Sequence, residues 1–202
     1  VVCEGATEVG FLRGLDEYWI SKEKNSFACQ GIAPIDAASA SKIKGIASGL
    51  RKLSYDVAVV ADSDDPQFSP ADADELTRGE VAVIQWSSAM SIEQRVFTDI
   101  PWSGVMASFE LACEIVGARD KVIDHVQSQA GRDFNRDIAA WTGSAGLRAA
   151  LGKAAKASGW FKRQDYAQQW AAIVVRYFAE PTMAATDLVH KVNELRAWID
   201  RA

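Results

Sequence analysis

Histidine, cysteine and proline are scarce in this sequence: 2 His, 3 Cys and 5 Pro in 202 residues. Three cysteines cannot close a disulfide framework. Their odd number, with Cys3 and Cys29 in apolar, strand-like runs, predicts free buried thiols and a reducing compartment. His125 and His190 stand apart, with no Cys or His at ligand spacing, which argues against a zinc site and predicts surface or packing roles for both. No apolar run approaches the roughly 20 residues of a membrane span, and no basic segment followed by an apolar one opens the chain. The expectation is a cytoplasmic protein with no membrane partner. An initiator methionine is also missing. The chain opens inside the apolar run Val1-Val2-Cys3, which predicts a piece of a longer protein.

What is present is the composition of an ordinary globular chain, 49% hydrophobic and 24% charged, which excludes disorder, collagen and coiled coil. The net charge of −5 is unevenly spread. Residues 1–99 carry 9 Lys/Arg against 16 Asp/Glu, whereas residues 131–176 carry 8 basic residues against 3 acidic ones. An acidic centre beside a basic flank suits a metal-dependent enzyme acting on phosphates, although charge alone describes a solvated helical surface equally well.

The first hundred residues alternate apolar runs with helical patterns. They read as a strand at Val1–Glu4, a helix over about Glu8–Trp19, a run at Phe27–Ile35 and a helix over about Ser41–Leu53. Then come the strand Val57–Ala61, an acidic loop, a short helix over about Pro70–Arg78 and the run Val81–Trp86. Strands alternating with helices predict an α/β fold, a parallel Rossmannoid sheet flanked by helices. From Ser91 onward the apolar spacing is helical, in Phe109–Val116, Val122–Val126, Ala167–Phe178 and a last helix from about Met183 to Ile199. The expected organisation is a catalytic α/β domain at 1–100, a helical region at 101–160, and C-terminal helices at 161–202 packing back on the sheet. The seven tryptophans lie mostly at helical spacing with other apolar residues and read as core.

The acids sit where those strands end. Cys3-Glu4-Gly5-Ala6-Thr7-Glu8 follows the first strand, with Gly5 allowing a tight turn and Thr7 expected to cap a helix whose first turn carries Glu8. Ala61-Asp62-Ser63-Asp64-Asp65-Pro66 packs three acids into four positions after the third strand. Carboxylates crowded in this way raise one another's pKa, and a hard divalent ion removes that cost. Glu93, in Ser91-Ile92-Glu93 after the fourth strand, brings a further carboxylate to the same rim, with Ser91 a plausible helix cap. Each acid alone also reads as a helix-start or turn residue; their shared position is what points to a site.

With these residues in place the sequence resembles the Toprim fold, whose pattern is Glu-Gly after the first strand and Asp-X-Asp after the third; here these are Glu4-Gly5 and Asp62-Ser63-Asp64. The longer stretch Glu4-Gly5-Ala6-Thr7-Glu8-Val9-Gly10-Phe11-Leu12 is more closely similar to the Toprim nuclease region of the OLD (overcoming lysogenization defect) family. The resemblance covers residues 1–99 with specific motifs and the helical remainder loosely. It implies a metal-dependent DNA nuclease from a bacterial or phage source, whose longer protein carries an N-terminal ABC-type ATPase domain and forms homo-oligomers through that region.

The resemblance further implies phosphodiester hydrolysis assisted by two divalent cations, Mg²⁺ or Mn²⁺, held about 4 Å apart. Glu4, Glu8, Asp62, Asp64 and Glu93 would be the ligands, flanked by Gly5, Asp65 and Ser91. Glu4 would also move a proton. The family places a catalytic lysine in a context similar to Trp160-Phe161-Lys162, which carries that role to Lys162, following the break at Gly159. Arg163, Lys153 and Lys156 are the expected DNA contacts. Two other readings remain. One is a Mg²⁺-binding receiver-like phosphoacceptor switch, which would need an acidic pair after the first strand and a Lys after a fifth. The other is a Toprim module that binds DNA or dimerises without cleaving.

Overall fold

Short apolar runs that stop at an acid or a polar turn form the strands. The computed structural model describes residues 1–201. Strands β1 (Val2–Cys3), β2 (Ile35–Asp36), β3 (Ala58–Ala61) and β4 (Ala82–Gln85) make one sheet in the order β2-β1-β3-β4, with every pair parallel. β1 is interior: Val2 lies opposite Ile35 on one side and Val59 on the other. Parallel neighbours require crossovers, and α1 (Ala6–Ser21), α2 (Ala40–Lys52) and α3 (Pro70–Arg78) supply them. This is a Rossmann-like α/β fold.

The sheet is buried on both faces, and the two-residue period of a strand divides its side chains between two cores. Val2, Val59 and Ala61 face a small core completed by Ala40, Ile43 and Ala47 of α2 and Leu76 of α3. Cys3, Ala58, Val60 and Ile84 face a larger core that runs through α1 and all the later helices. Those are α4 (Ile92–Asp99), α5 (Trp102–Val116), α6 (Arg119–Ala130), α7 (Ala145–Ser158), α8 (Gln164–Val174) and α9 (Asp187–Ile199). At its centre Phe161 and Trp170 stack, with ring centroids 4.3 Å apart, and Phe11 meets Trp170 edge-on at 5.6 Å. Five of the seven tryptophans are buried. α9 is pinned by Asp99, which accepts from the Leu188 N–H at 2.8 Å and ion-pairs with the buried Arg95.

Two helix pairs approach as closely as backbone allows. A Cβ on Gly10 of α1 would lie 2.2 Å from the Gln164 carbonyl oxygen, and one on Gly14 would lie 2.4 Å from the Ala171 Cβ. Gly10 and Gly14 are one turn apart, so the missing side chains form a groove that seats α8. On α7, a Cβ at Gly152 would lie 2.8 Å from the Cα of Gln94, which sets α7 directly against α4. These seams fasten the C-terminal helices to the first and fourth helices.

Some local expectations are corrected. Phe27–Ile35 is not a strand: Ala28–Gln30 is a 3-10 turn closed by Gly31 at φ 69°, and Pro34 has no N–H for a ladder, so β2 is only Ile35–Asp36. Cys29 lies on that turn and is exposed, whereas Cys3 and Cys113 are buried. α1 starts at Ala6 with Gly5 as its N-cap, not Thr7. The last helix starts at Asp187 under a Thr186 cap, after a 3-10 turn at Pro181–Met183. Among the described residues no helix is long and apolar enough to cross a membrane.

Gly10→Ala forces a methyl group into the Gln164 backbone and is expected to destabilise the fold by about 2 kcal/mol. Gly45→Ala on α2, where a Cβ would meet nothing within 4 Å, is expected to stabilise by about 0.5–1 kcal/mol through helix propensity. Urea denaturation of both variants checks the pair, and equal midpoints would refute the close α1/α8 seam.

Candidate functional site

From β1 the chain goes to β2 on one side and returns to β3 on the other, and in open parallel sheets the ligand crevice lies outside the carboxyl ends of the strands at that switch. Glu4 follows β1 and Asp62 follows β3. The Glu4 N–H donates to the Val60 carbonyl at 3.2 Å, which carries the ladder one residue past β1. The Glu4 carboxylate in turn accepts from the Asp62 N–H at 3.1 Å. Gly5 then caps α1, and its N–H donates to the Glu8 carboxylate at 2.8 Å, folding that side chain back over the strand end.

Asp62 is almost fully buried, and its Oδ1 accepts from the Ile92 N–H at 2.8 Å, in the first turn of α4. A free N–H and the positive end of a helix dipole both favour a carboxylate there. The loop before α4 is held in place by Ser63, which donates from N–H to the Met90 carbonyl at 3.1 Å and accepts from the Met90 N–H at its Oγ at 3.0 Å. Ser91 caps α4 as expected, its Oγ accepting from the Gln94 N–H, and Glu93 is buried in that first turn.

The helical region adds the cations. Gly159 ends α7 at φ 62°, Trp160 and Phe161 bury their rings, and the Thr7 hydroxyl donates to the Phe161 carbonyl at 3.3 Å. Lys162 follows at the surface. Lys156, on the last turn of α7, places its ammonium 2.7 and 2.8 Å from the two carboxylate oxygens of Asp64 and 3.6 Å from Asp62 Oδ2. One cavity of about 410 Å³ is walled by Glu4, Glu8, Asp62, Glu93, Lys156 and Lys162, with Asp36 at the end of β2 on its rim.

Burial in like-charged company dominates the electrostatics. Desolvation, then repulsion from Glu93, pushes Glu8 up to about 8. Desolvation, then repulsion from Glu8, Glu93 and Glu4, holds Asp62 well above the ordinary aspartate range, and Glu4 and Glu93 are raised for the same first reason. Desolvation alone would lower Lys156, but its bond to Asp64 and the fields of Asp62, Asp64 and Glu93 outweigh that and raise it.

Whether these residues suit a divalent cation depends on donor chemistry and disposition. The donors are all hard carboxylate oxygens; those of Glu4, Glu8, Asp62 and Glu93 line one cavity, Asp64 lies outside its lining, and adding positive charge there relieves repulsion. As disposed here, no three His, Cys, Asp or Glu side chains among the described residues converge tightly enough to hold a metal ion. Glu4, Glu8 and Asp62 each accept from a backbone N–H through one oxygen, and both oxygens of Asp64 are held by Lys156. The donor set fits; the geometry is that of a site whose positive charge comes from a lysine.

Of the other residues singled out in sequence, Asp65 shapes the turn, accepting from the Gln67 N–H at 2.8 Å. Arg163 is exposed, paired with Asp165 at 2.8 Å and lying 4.5 Å over the Tyr166 ring. Lys153 lines a different cavity, with Phe134 and Trp141. Sequence reasoning overlooked Asp36, although it carries the same signal as Glu4, an acid at the end of a two-residue strand; the apolar run was read as Phe27–Ile35 and stopped one residue short of it. The partnership of Lys156 with Asp64, 92 residues away, had no sequence signal. Comparison of the chain with family models, curated proteins and solved structures finds no match.

A carboxyl whose pKa is higher in the folded than in the unfolded chain contributes stability that is fully present below the unfolded value and is lost as pH rises through the folded one. For Glu8 that window runs from about 4.5 to about 8. In EDTA, stability measured by urea denaturation is therefore expected to fall across it, and Glu8→Gln is expected to flatten the slope by about one proton. Equal slopes would mean that Glu8 is ionised throughout.

Proposed function

We propose that the chain is the catalytic region of a divalent-metal-dependent nuclease that hydrolyses DNA phosphodiester bonds, of the Toprim type found in OLD-family proteins. The observation that carries the reading is the meeting of Glu4, Glu8, Asp62 and Glu93 with Lys162 on one cavity at the switch point of the sheet. A phosphodiester is an anion, and a cavity walled by carboxylates repels it unless cations intervene. Glu4, Glu8, Asp62, Asp64 and Glu93 are the residues that would hold Mg²⁺ or Mn²⁺, and such ions supply charge compensation on the phosphate and lower the pKa of the attacking water.

The chain's own groups have separable tasks. Glu4, which lines the crevice and is raised above the ordinary glutamate range by burial, is the residue that would move a proton. Lys162, which lines the same cavity, would offer positive charge where negative charge grows on the phosphate in the transition state. The backbone donors to Glu4, Glu8 and Asp62 orient these carboxylates in advance. The exposed cations Arg163 and Lys153 extend the contact to the DNA backbone, and a longer protein with an ATPase region would supply the rest of the affinity. A receiver-like switch is disfavoured because the aspartate after β3, Asp62, is buried and bonded to Ile92, and because no fifth strand follows β4 among the described residues.

The test is incubation with supercoiled plasmid and linear duplex in Mg²⁺, Mn²⁺, Ca²⁺ or EDTA. Metal-dependent nicking or degradation is expected, abolished in Asp62→Ala and slowed about 10²–10³-fold in Lys162→Ala. No cleavage with any metal would sink the nuclease reading for this chain.

A further inference from the structure

The acids in and beside the cavity are held in two different ways, Asp64 lying outside its lining and joined to it through Lys156. Glu4, Glu8 and Asp62 accept from backbone N–H groups of Asp62, Gly5 and Ile92, which belong to strand ends and helix starts and cannot move without disturbing the fold. Asp64 is held by a side chain: both of its oxygens accept from Lys156 Nζ, at 2.7 and 2.8 Å. Lys156 is also the one cation ion-paired with this cluster among the described residues. Its side chain keeps 36% exposure, against 23% for Asp64 and 6% for Asp62, so the pair opens toward solvent while Asp62 stays below it.

The backbone of α7 is fixed close by. Gly152, one turn before Lys156, has no room for a Cβ against Gln94, and Gln94 adjoins Glu93 on α4. α7 therefore delivers a long, flexible, permanently charged stem to a place set by the fold, while the ammonium at its tip remains free to change partners. One unit of positive charge there faces the carboxylates of Asp62 and Asp64 directly and those of Glu4, Glu8 and Glu93 around the cavity. A divalent cation at the same carboxylates would supply twice that charge and would need the Asp64 oxygens that Lys156 occupies.

We propose that Lys156 is an exchangeable counter-ion: it clasps Asp64 while no metal is bound and releases it when a divalent cation arrives, so that lysine and metal compete for the Asp62/Asp64 pair. The lysine stays charged in both states, and only its partner changes. This rests on the metal reading above and adds to it a determinant of metal affinity. It makes Lys156 a residue that acts on the acids rather than one reserved for DNA.

Competition has a signature opposite to that of a lysine that merely helps to position ligands. Binding of Mn²⁺ to the whole chain, without DNA, is measured by the loss of the free-ion electron paramagnetic resonance signal. The variants are Lys156→Met, Lys156→Arg and Lys153→Met, the last removing one positive charge a turn away on the same helix. Lys156→Met is expected to bind about tenfold more tightly than wild type, with Lys156→Arg and Lys153→Met each within about twofold of it. Equal or weaker binding by Lys156→Met, with wild type binding normally, overturns the exchange and leaves the metal reading standing. Equal tightening by Lys153→Met also overturns it, because the effect would then be general charge. Failure of both wild type and Lys156→Met to bind Mn²⁺ removes the metal reading and the exchange together. If circular dichroism shows Lys156→Met unfolded, Lys156→Gln, which keeps a hydrogen-bond donor for Asp64, is judged by the same criteria.

Discussion

The absence of side chains at Gly10, Gly14 and Gly152 is the constraint on which the rest of this structure depends. A methyl group at Gly10 would overlap the Gln164 carbonyl, and one at Gly152 would overlap the Gln94 backbone. Because they are absent, α8 lies in the groove of α1 and α7 lies on α4. α1 and α4 are the helices whose first turns carry Glu8 and Glu93 and whose N-termini border the crevice. The seams that close the hydrophobic core are thus the same contacts that bring Lys156 and Lys162 to the acids. Dispersion and burial along these seams stabilise the fold, and the position of the cations follows from them.

The acidic rim opposes that stability. Three carboxylates, those of Glu8, Asp62 and Glu93, are almost removed from water within reach of one another's charge, an arrangement that costs free energy however the protons are distributed. The chain limits the cost by three means: raised pKa values, backbone N–H donors at strand ends and helix starts, and one ammonium from α7. Packing alone does not call for any of this. A crevice that concentrates negative charge beside lysines, at the switch point of a parallel sheet, breaks the local rules of stability where a binding site would sit.

Much of this was legible in sequence wherever the signal is local. The alternation of apolar runs and helical patterns specified a parallel sheet, because strands buried on both faces must be apolar throughout. Glu4 and Asp62 were found because each directly follows such a run, Glu93 because it follows the fourth run by a short loop, and Ser91 because a helix start needs a side-chain acceptor. The misreadings came from residues whose local preferences were overruled. Phe27–Ile35 is apolar enough for a strand, but Pro34 and the left-handed Gly31 leave only two residues able to pair. Thr7 is a better cap than Gly5 by preference, yet the turn out of β1 closes one residue into the chain past Glu4, and Glu8 satisfies the Gly5 N–H instead.

The amino-acid sequence by itself determined the fold class, the order of strands and helices and the presence of acids at the strand ends, since each follows from periodicity and from neighbours within a few positions. Tertiary structure alone decided which acids share a cavity, that Asp36 joins them, and that Lys156 rather than another of the basic residues clasps Asp64. Those outcomes depend on distances between segments some 90 residues apart in the chain, set by helices that approach only where a glycine or alanine leaves room. Charge composition announces that acids and cations are present; the packing of backbones selects the pairs that meet.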